Sequence, residues 1–72
     1  MNKKNKIKIV VNGRLLTVNI KFSLKNLIEK LKTPINKVAI ELNEEIVDKK
    51  KLNKIYLKNK DKIEIVHFIG GG

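Results

Sequence analysis

KIEIVHF, residues 62–68, carries apolar side chains on both faces: Ile63 and Ile65 on one, Val66 and Phe68 on the other. A strand with one wet face alternates apolar and polar. A strand covered on both sides, or flanked by neighbours, does not. This segment therefore reads as a central strand near the end of the chain, and the rest of the fold must be built around it.

Two strands stand at the other end of the sequence. IKIVV (7–11) is β-branched, and RLLTVNI (14–20) places Leu16, Val18 and Ile20 on one face against Leu15, Thr17 and Asn19 on the other. Asn12-Gly13 between them is a hairpin signal, because both central residues of a type I′ turn need positive φ. Ser23 then has the character of a helix N-cap, with Phe22 and Leu27 at the positions of a hydrophobic staple. Leu24, Leu27, Ile28 and Leu31 follow at helical spacing. Pro34 disfavours helix at Thr33, so the spacing predicts a helix of about ten residues that needs a sheet to pack on.

KVAIEL (37–42) is the next strand, and Asn43 to Glu45 turn into a short one at Ile46-Val47. The polar stretch 48–54 reads as a loop, with Leu52, Ile55 and Leu57 forming a satellite cluster beneath it. Asn59 to Asp61 turn into the last strand. The order β-β-α-β-β-β predicts an α+β fold, a mixed sheet of four to five strands with one packed helix. A right-handed crossover and a last strand lying beside the first, parallel to it, make this the ubiquitin-like β-grasp arrangement. One domain spans 1–72, with residues 1–6 a flexible basic tail and 70–72 a flexible glycine tail.

The chain has no cysteine and a single histidine, so a thiolate metal site and a disulfide are excluded. No apolar run approaches the roughly 20 residues of a membrane span, which makes the cytoplasm the default compartment and a membrane no partner. The formal net charge is +10, from 17 Lys+Arg against 7 Asp+Glu. Such a charge fits a nucleic-acid module. Against it, Arg14 is the only arginine and Phe22, Tyr56 and Phe68 are the only aromatics, whereas nucleic acid favours arginine forks and stacking rings. Lysine, asparagine and isoleucine fill half the chain (16, 9 and 11 of 72 residues), a compositional bias that explains the charge without nucleic acid.

The sequence closes on HFIGGG (67–72). Glycine is the costliest residue to order, but it has no side chain to obstruct a narrow channel or a nucleophile. This pattern points to the C-terminal carboxylate of Gly72 as the reactive group, with Gly70 and Gly71 threading it into a partner's active site. Ordering three or four tail residues costs about 3–8 kcal/mol. A partner must therefore also grip the folded body, and Val10, Leu15, Val66 and Phe68 are candidates on the sheet face that one helix leaves bare. His67, the Glu44-Glu45 pair and the lysine run 49–51 lack the partners that catalysis or metal binding needs.

The chain resembles the ThiS-type sulfur carriers of thiamine biosynthesis. The likeness rests on IVVNG opening the first hairpin, the helix SLKNLIEKL, the strand-turn VAIELNEEIV and the ending DKIEIVHFIGGG. It implies a carrier rather than an enzyme, with no bound cofactor and monomeric when free. An E1-like adenylyltransferase would use ATP and Mg to adenylate Gly72, a cysteine desulfurase relay would supply sulfur, and the resulting thiocarboxylate would feed thiazole synthase. Alternatives within the same chemistry are a carrier for molybdopterin or another thiolated product, or a ubiquitin-like protein modifier. A basic nucleic-acid-binding module is the alternative outside it. The chain departs from the family in its longer basic N-terminus, its charge, and Lys60-Asp61 where Gly-Asp is common.

Overall fold

The computed structural model describes residues 5–68. Five strands and one helix follow in the expected order: β1 (Lys6–Val11), β2 (Arg14–Asn19), α1 (Leu24–Lys30), β3 (Val38–Leu42), β4 (Glu45–Ile46) and β5 (Lys62–His67). They form one mixed sheet in the order β2-β1-β5-β3-β4. β5 is central, parallel to β1 and antiparallel to β3, as expected, but only its Ile63 and Ile65 face is covered, and Val66 on the other face stays half exposed. β1 starts at Lys6, inside the stretch expected to be a tail, and the Asn5 carbonyl accepts the Ile20 N–H at 2.9 Å. Residues 1–4 of that tail lie outside the described residues.

The hairpin turn forms as its sequence dictates, with Asn12 at φ 49° and Gly13 at φ 82°. The Ser23 hydroxyl accepts the Asn26 N–H at 3.0 Å and the Asn26 side-chain oxygen accepts the Ser23 N–H at 3.1 Å, a reciprocal capping box.

The helix is shorter than expected, and proline does not end it. Lys32 turns to φ 56°, its N–H bonds the Glu29 carbonyl at 3.0 Å, and the Thr33 N–H bonds the Ile28 carbonyl at 3.1 Å. That is a Schellman closure with lysine where glycine is usual. The stretch 48–54 also differs from expectation. Lys49–Lys54 is a 3₁₀ helix capped by the Asp48 carboxylate, which accepts the Lys50 N–H at 2.9 Å. A second, shorter 3₁₀ turn covers Ile35–Lys37.

The core lies between α1 and one sheet face. Ile9, Leu24, Leu27, Val38, Ile40 and Ile63 are fully buried there. Leu52 and Leu57 belong to this core and Ile55 packs on it, so they are not a satellite cluster. The reason is a backbone tie. The Leu24 N–H bonds the Ile55 carbonyl at 2.8 Å and the Leu57 N–H bonds the Phe22 carbonyl at 2.9 Å, pinning the long connection against the helix start. Among the described residues no helix is long and apolar enough to cross a membrane.

Candidate functional site

Gly70, Gly71 and Gly72 lie outside the described residues, so the site is described up to Phe68, the last described residue before them. Phe68 directly follows the end of β5. On one side β3 holds it: Val66 pairs with Ala39, His67 with Val38, and the Phe68 N–H bonds the Lys37 carbonyl at 2.9 Å. On the other side the ladder with β1 ends at Val11↔Ile63, and a side chain continues it. Asn12 Oδ1 accepts the Ile65 N–H at 2.7 Å, and Asn12 Nδ2 faces the Ile65 carbonyl at 3.4 Å. The start of β5 is held in the same way. Asn43, at φ 51° in the β3–β4 turn, accepts the Lys62 N–H on its Oδ1 at 2.9 Å and donates from Nδ2 to Asp61 at 3.0 Å. Two asparagines that read as turn residues are thus also clamps on the central strand.

Strand pairing puts Val10, Leu15 and Val66 on the sheet face away from α1. Val10 pairs with Leu15 across the hairpin, and Val66 with Ala39. They do not form one continuous patch. Val10 is level with Lys62, so Val66 stands four residues further along, about 13 Å at strand rise. Glu64 lies between them, directly opposite Glu41. Like charges facing across a ladder are unfavourable. Among the described residues neither carboxylate has a cation within ion-pair distance; the pair found joins Lys62 Nζ to Glu44 Oε2 at 3.6 Å. The face therefore has apolar ends and an acidic middle, in a protein whose net charge is +10.

The exposed residues here are large: Leu15 is 67% exposed, Val66 50% and Phe68 55%. Ile46 is 77% exposed and sits opposite Glu41, on the same face, although sequence reading did not single it out. The alternation of Ile46 with the half-buried Val47 was the available signal. Phe68 is set apart from Val66 by its company. Lys49 Nζ lies 5.3 Å from its ring centroid and donates to the Ile35 carbonyl at 2.8 Å, which ties the last described residue to both 3₁₀ segments.

His67 is exposed at the rim, opposite Val38. Glu44 occupies the β3–β4 turn at φ 73° and Glu45 stands in β4, so they form no dyad. Among the described residues no group of three metal-ligating side chains comes together.

Comparison with known proteins matches this architecture. A crystal structure of the thiamine biosynthesis protein ThiS from Geobacter metallireducens superposes with a TM-score of 0.80 at 29% identity, covering 92% of this chain and all of that one. The sulfur carrier protein ThiS of Bacillus subtilis is 49% identical over 35 residues, 49% of this chain and 53% of that protein. A thiazole synthase from Paramagnetospirillum magneticum is 38% identical over 66 residues, which is 92% of this chain. The chain spans only about a fifth of that synthase's length (20%). The sequence model of the ThiS family matches residues 9–72, and the chain belongs to that family.

Proposed function

We propose that this protein is a sulfur carrier for thiazole formation in thiamine biosynthesis, with Gly72 as the group that carries sulfur. The family match, which runs through Gly72, is the observation that carries this reading. A carboxylate is a poor acylating agent. Joined to AMP by an adenylyltransferase that uses ATP and Mg, it accepts a sulfur nucleophile. The outer sulfur of a persulfide displaces AMP to give an acyl disulfide. A second thiol of the sulfur relay then cleaves the S–S bond, releasing the thiocarboxylate and leaving a disulfide on the relay. The thiocarboxylate then gives its sulfur to thiazole synthase. In the P. magneticum thiazole synthase a segment like this one is a fifth of the polypeptide (20%), which supports a link between carrier and synthase.

The protein supplies position and leaves the reactions to its partners. β5 delivers the chain to the rim, and Gly70 and Gly71 add no side chain that would obstruct a channel. The bare sheet face, with Val10 and Leu15 at one end, Val66 at the other and Ile46 on the β4 edge level with Glu41, is the grip that offsets the ordering of the tail. The test is intact mass after incubation with the adenylyltransferase, ATP, Mg and a persulfide donor. The expected gain is that of one oxygen replaced by sulfur at Gly72. An unchanged mass with partners that thiolate a ThiS control refutes the proposal.

A further inference from the structure

On the helix side, away from the sheet face, α1 and the second 3₁₀ segment leave a groove of about 460 Å³ between them. Its floor is apolar: Ile28 from the helix, Ile35 from the first 3₁₀ turn, and Leu52 from the second. Its rim is basic. Lys25 and Lys32 stand on the helix bank, with Lys49 and Lys50 on the other, against a single acid, Glu29. Lys49 is committed to the Ile35 carbonyl and the Phe68 ring. Among the described residues, Lys25, Lys32 and Lys50 have no carboxylate within ion-pair distance.

We propose that this groove is a docking site for an acidic peptide segment of a partner protein, with one bulky apolar side chain seated on Ile28, Ile35 and Leu52. The volume falls in the range of recognition pockets and suits an anchor side chain with its backbone. The chemistry selects the occupant. The lysines are all exposed and spread along both banks. A small phosphate needs donors that converge on one point, whereas dispersed ammonium groups match carboxylates spaced along a chain. A second copy of this chain would bring a further +10 of like charge. Nucleic acid would find no aromatic ring in the lining to stack on. Lysine stems extend the apolar walls while their heads stay in water, so one rim serves both halves of such a ligand. The site needs no chemistry at Gly72, so its failure and that of the carrier reading are separable.

The experiment is a titration of the isotope-labelled full chain, followed by amide chemical shifts. The probe is a synthetic peptide with a leucine pair between runs of aspartate. Expected shifts concentrate at Ile28, Thr33, Ile35, Leu52 and Asn53. Reversing two rim charges, Lys25→Glu with Lys50→Glu, weakens binding about tenfold while the spectrum stays that of a folded chain. Replacing the leucine pair by serine weakens binding as well. Three results overturn the proposal: shifts on the sheet face rather than in the groove, equal binding of the serine peptide, or the same shift pattern from inorganic phosphate alone.

Discussion

The clamp of Asn12 on Ile65 offers the sharpest test of how β5 is held. Asn12→Ala removes the acceptor of a 2.7 Å bond to a backbone N–H in a residue only 8% exposed. Leaving such a donor unpaired costs about 1–3 kcal/mol. The 3.4 Å contact from Nδ2 is long and adds little. Asn12 also sits at φ 49°, a region asparagine tolerates and alanine resists by about 1 kcal/mol more. The sum is about 2–4 kcal/mol, against about 4–11 kcal/mol for a domain of this length. At 4–8 °C per kcal/mol the melting temperature falls by about 8–32 °C.

Asn12→Gly separates the two causes. It loses the same bond but removes the φ penalty of about 1–2 kcal/mol, which exceeds the roughly 0.5–1 kcal/mol of entropy glycine adds to the unfolded chain, so it is expected to be more stable than the alanine variant by up to about 1 kcal/mol. Urea unfolding measures both. Amide exchange gives the local check: the Ile65 N–H, which faces β1, loses protection beyond the global change. The Val66 N–H, on the β3 side, follows the global change only. If Asn12→Ala is within about 0.5 kcal/mol of the parent, a typical surface substitution, the clamp contributes nothing and the reasoning fails. Unchanged protection at Ile65 would refute it equally.

Three further outcomes are expected. Ser23→Ala breaks the capping box at a buried position, costing about 0.5–2 kcal/mol in thermal or urea unfolding. Lys32→Gly and Lys60→Gly relieve residues held at φ 56° and 74°. The relief of about 1–2 kcal/mol exceeds the entropy glycine adds to the unfolded chain, about 0.5–1 kcal/mol, so each variant is more stable than the parent by up to about 1 kcal/mol. Val66→Asp places a charge on an exposed apolar position beside Ala39. It leaves unfolding stability nearly unchanged, and on the proposed carrier reading it raises the KM for adenylation about tenfold with kcat retained, which pyrophosphate exchange resolves.

Local patterns were legible and long-range ones were not. The helix start could be read from Ser23 and the first hairpin from Asn12-Gly13, because capping and type I′ turns are decided within a few residues. The buried face of β5 followed from the alternation of Ile63 and Ile65, whereas Val66, apolar on the other face, is 50% exposed. Three features depended on partners distant in sequence or on backbone conformation. Asn12 and Ile65 are 53 residues apart, and the turn chemistry that explains Asn12 hides its second role. Leu52 joins the core because residues 55–57 hydrogen-bond to the start of α1. The Schellman closure at Lys32 and the turn at Lys60 use a backbone region that lysine does not advertise. Lys60 stands at φ 74° in the turn before β5, a left-handed conformation that glycine holds at lower cost.

The central placement of β5 has a thermodynamic logic. A tail that extends an edge strand has one ladder behind it, and its root frays. Each frayed residue adds about 1–2 kcal/mol to the cost of ordering the chain in a partner's channel. Here β5 is held from both sides as far as Ile65, by Asn12 and by β3. β3 and the Lys37 carbonyl then carry the hold on to Phe68. Were residues 65–68 to fray, a partner would have to order four more residues, about 4–8 kcal/mol, comparable to the cost of the glycine tail itself. On the proposed carrier reading, a central last strand confines the ordering cost to the threading residues, and stability at the Asn12 clamp and efficiency at Gly72 are expected to fall together.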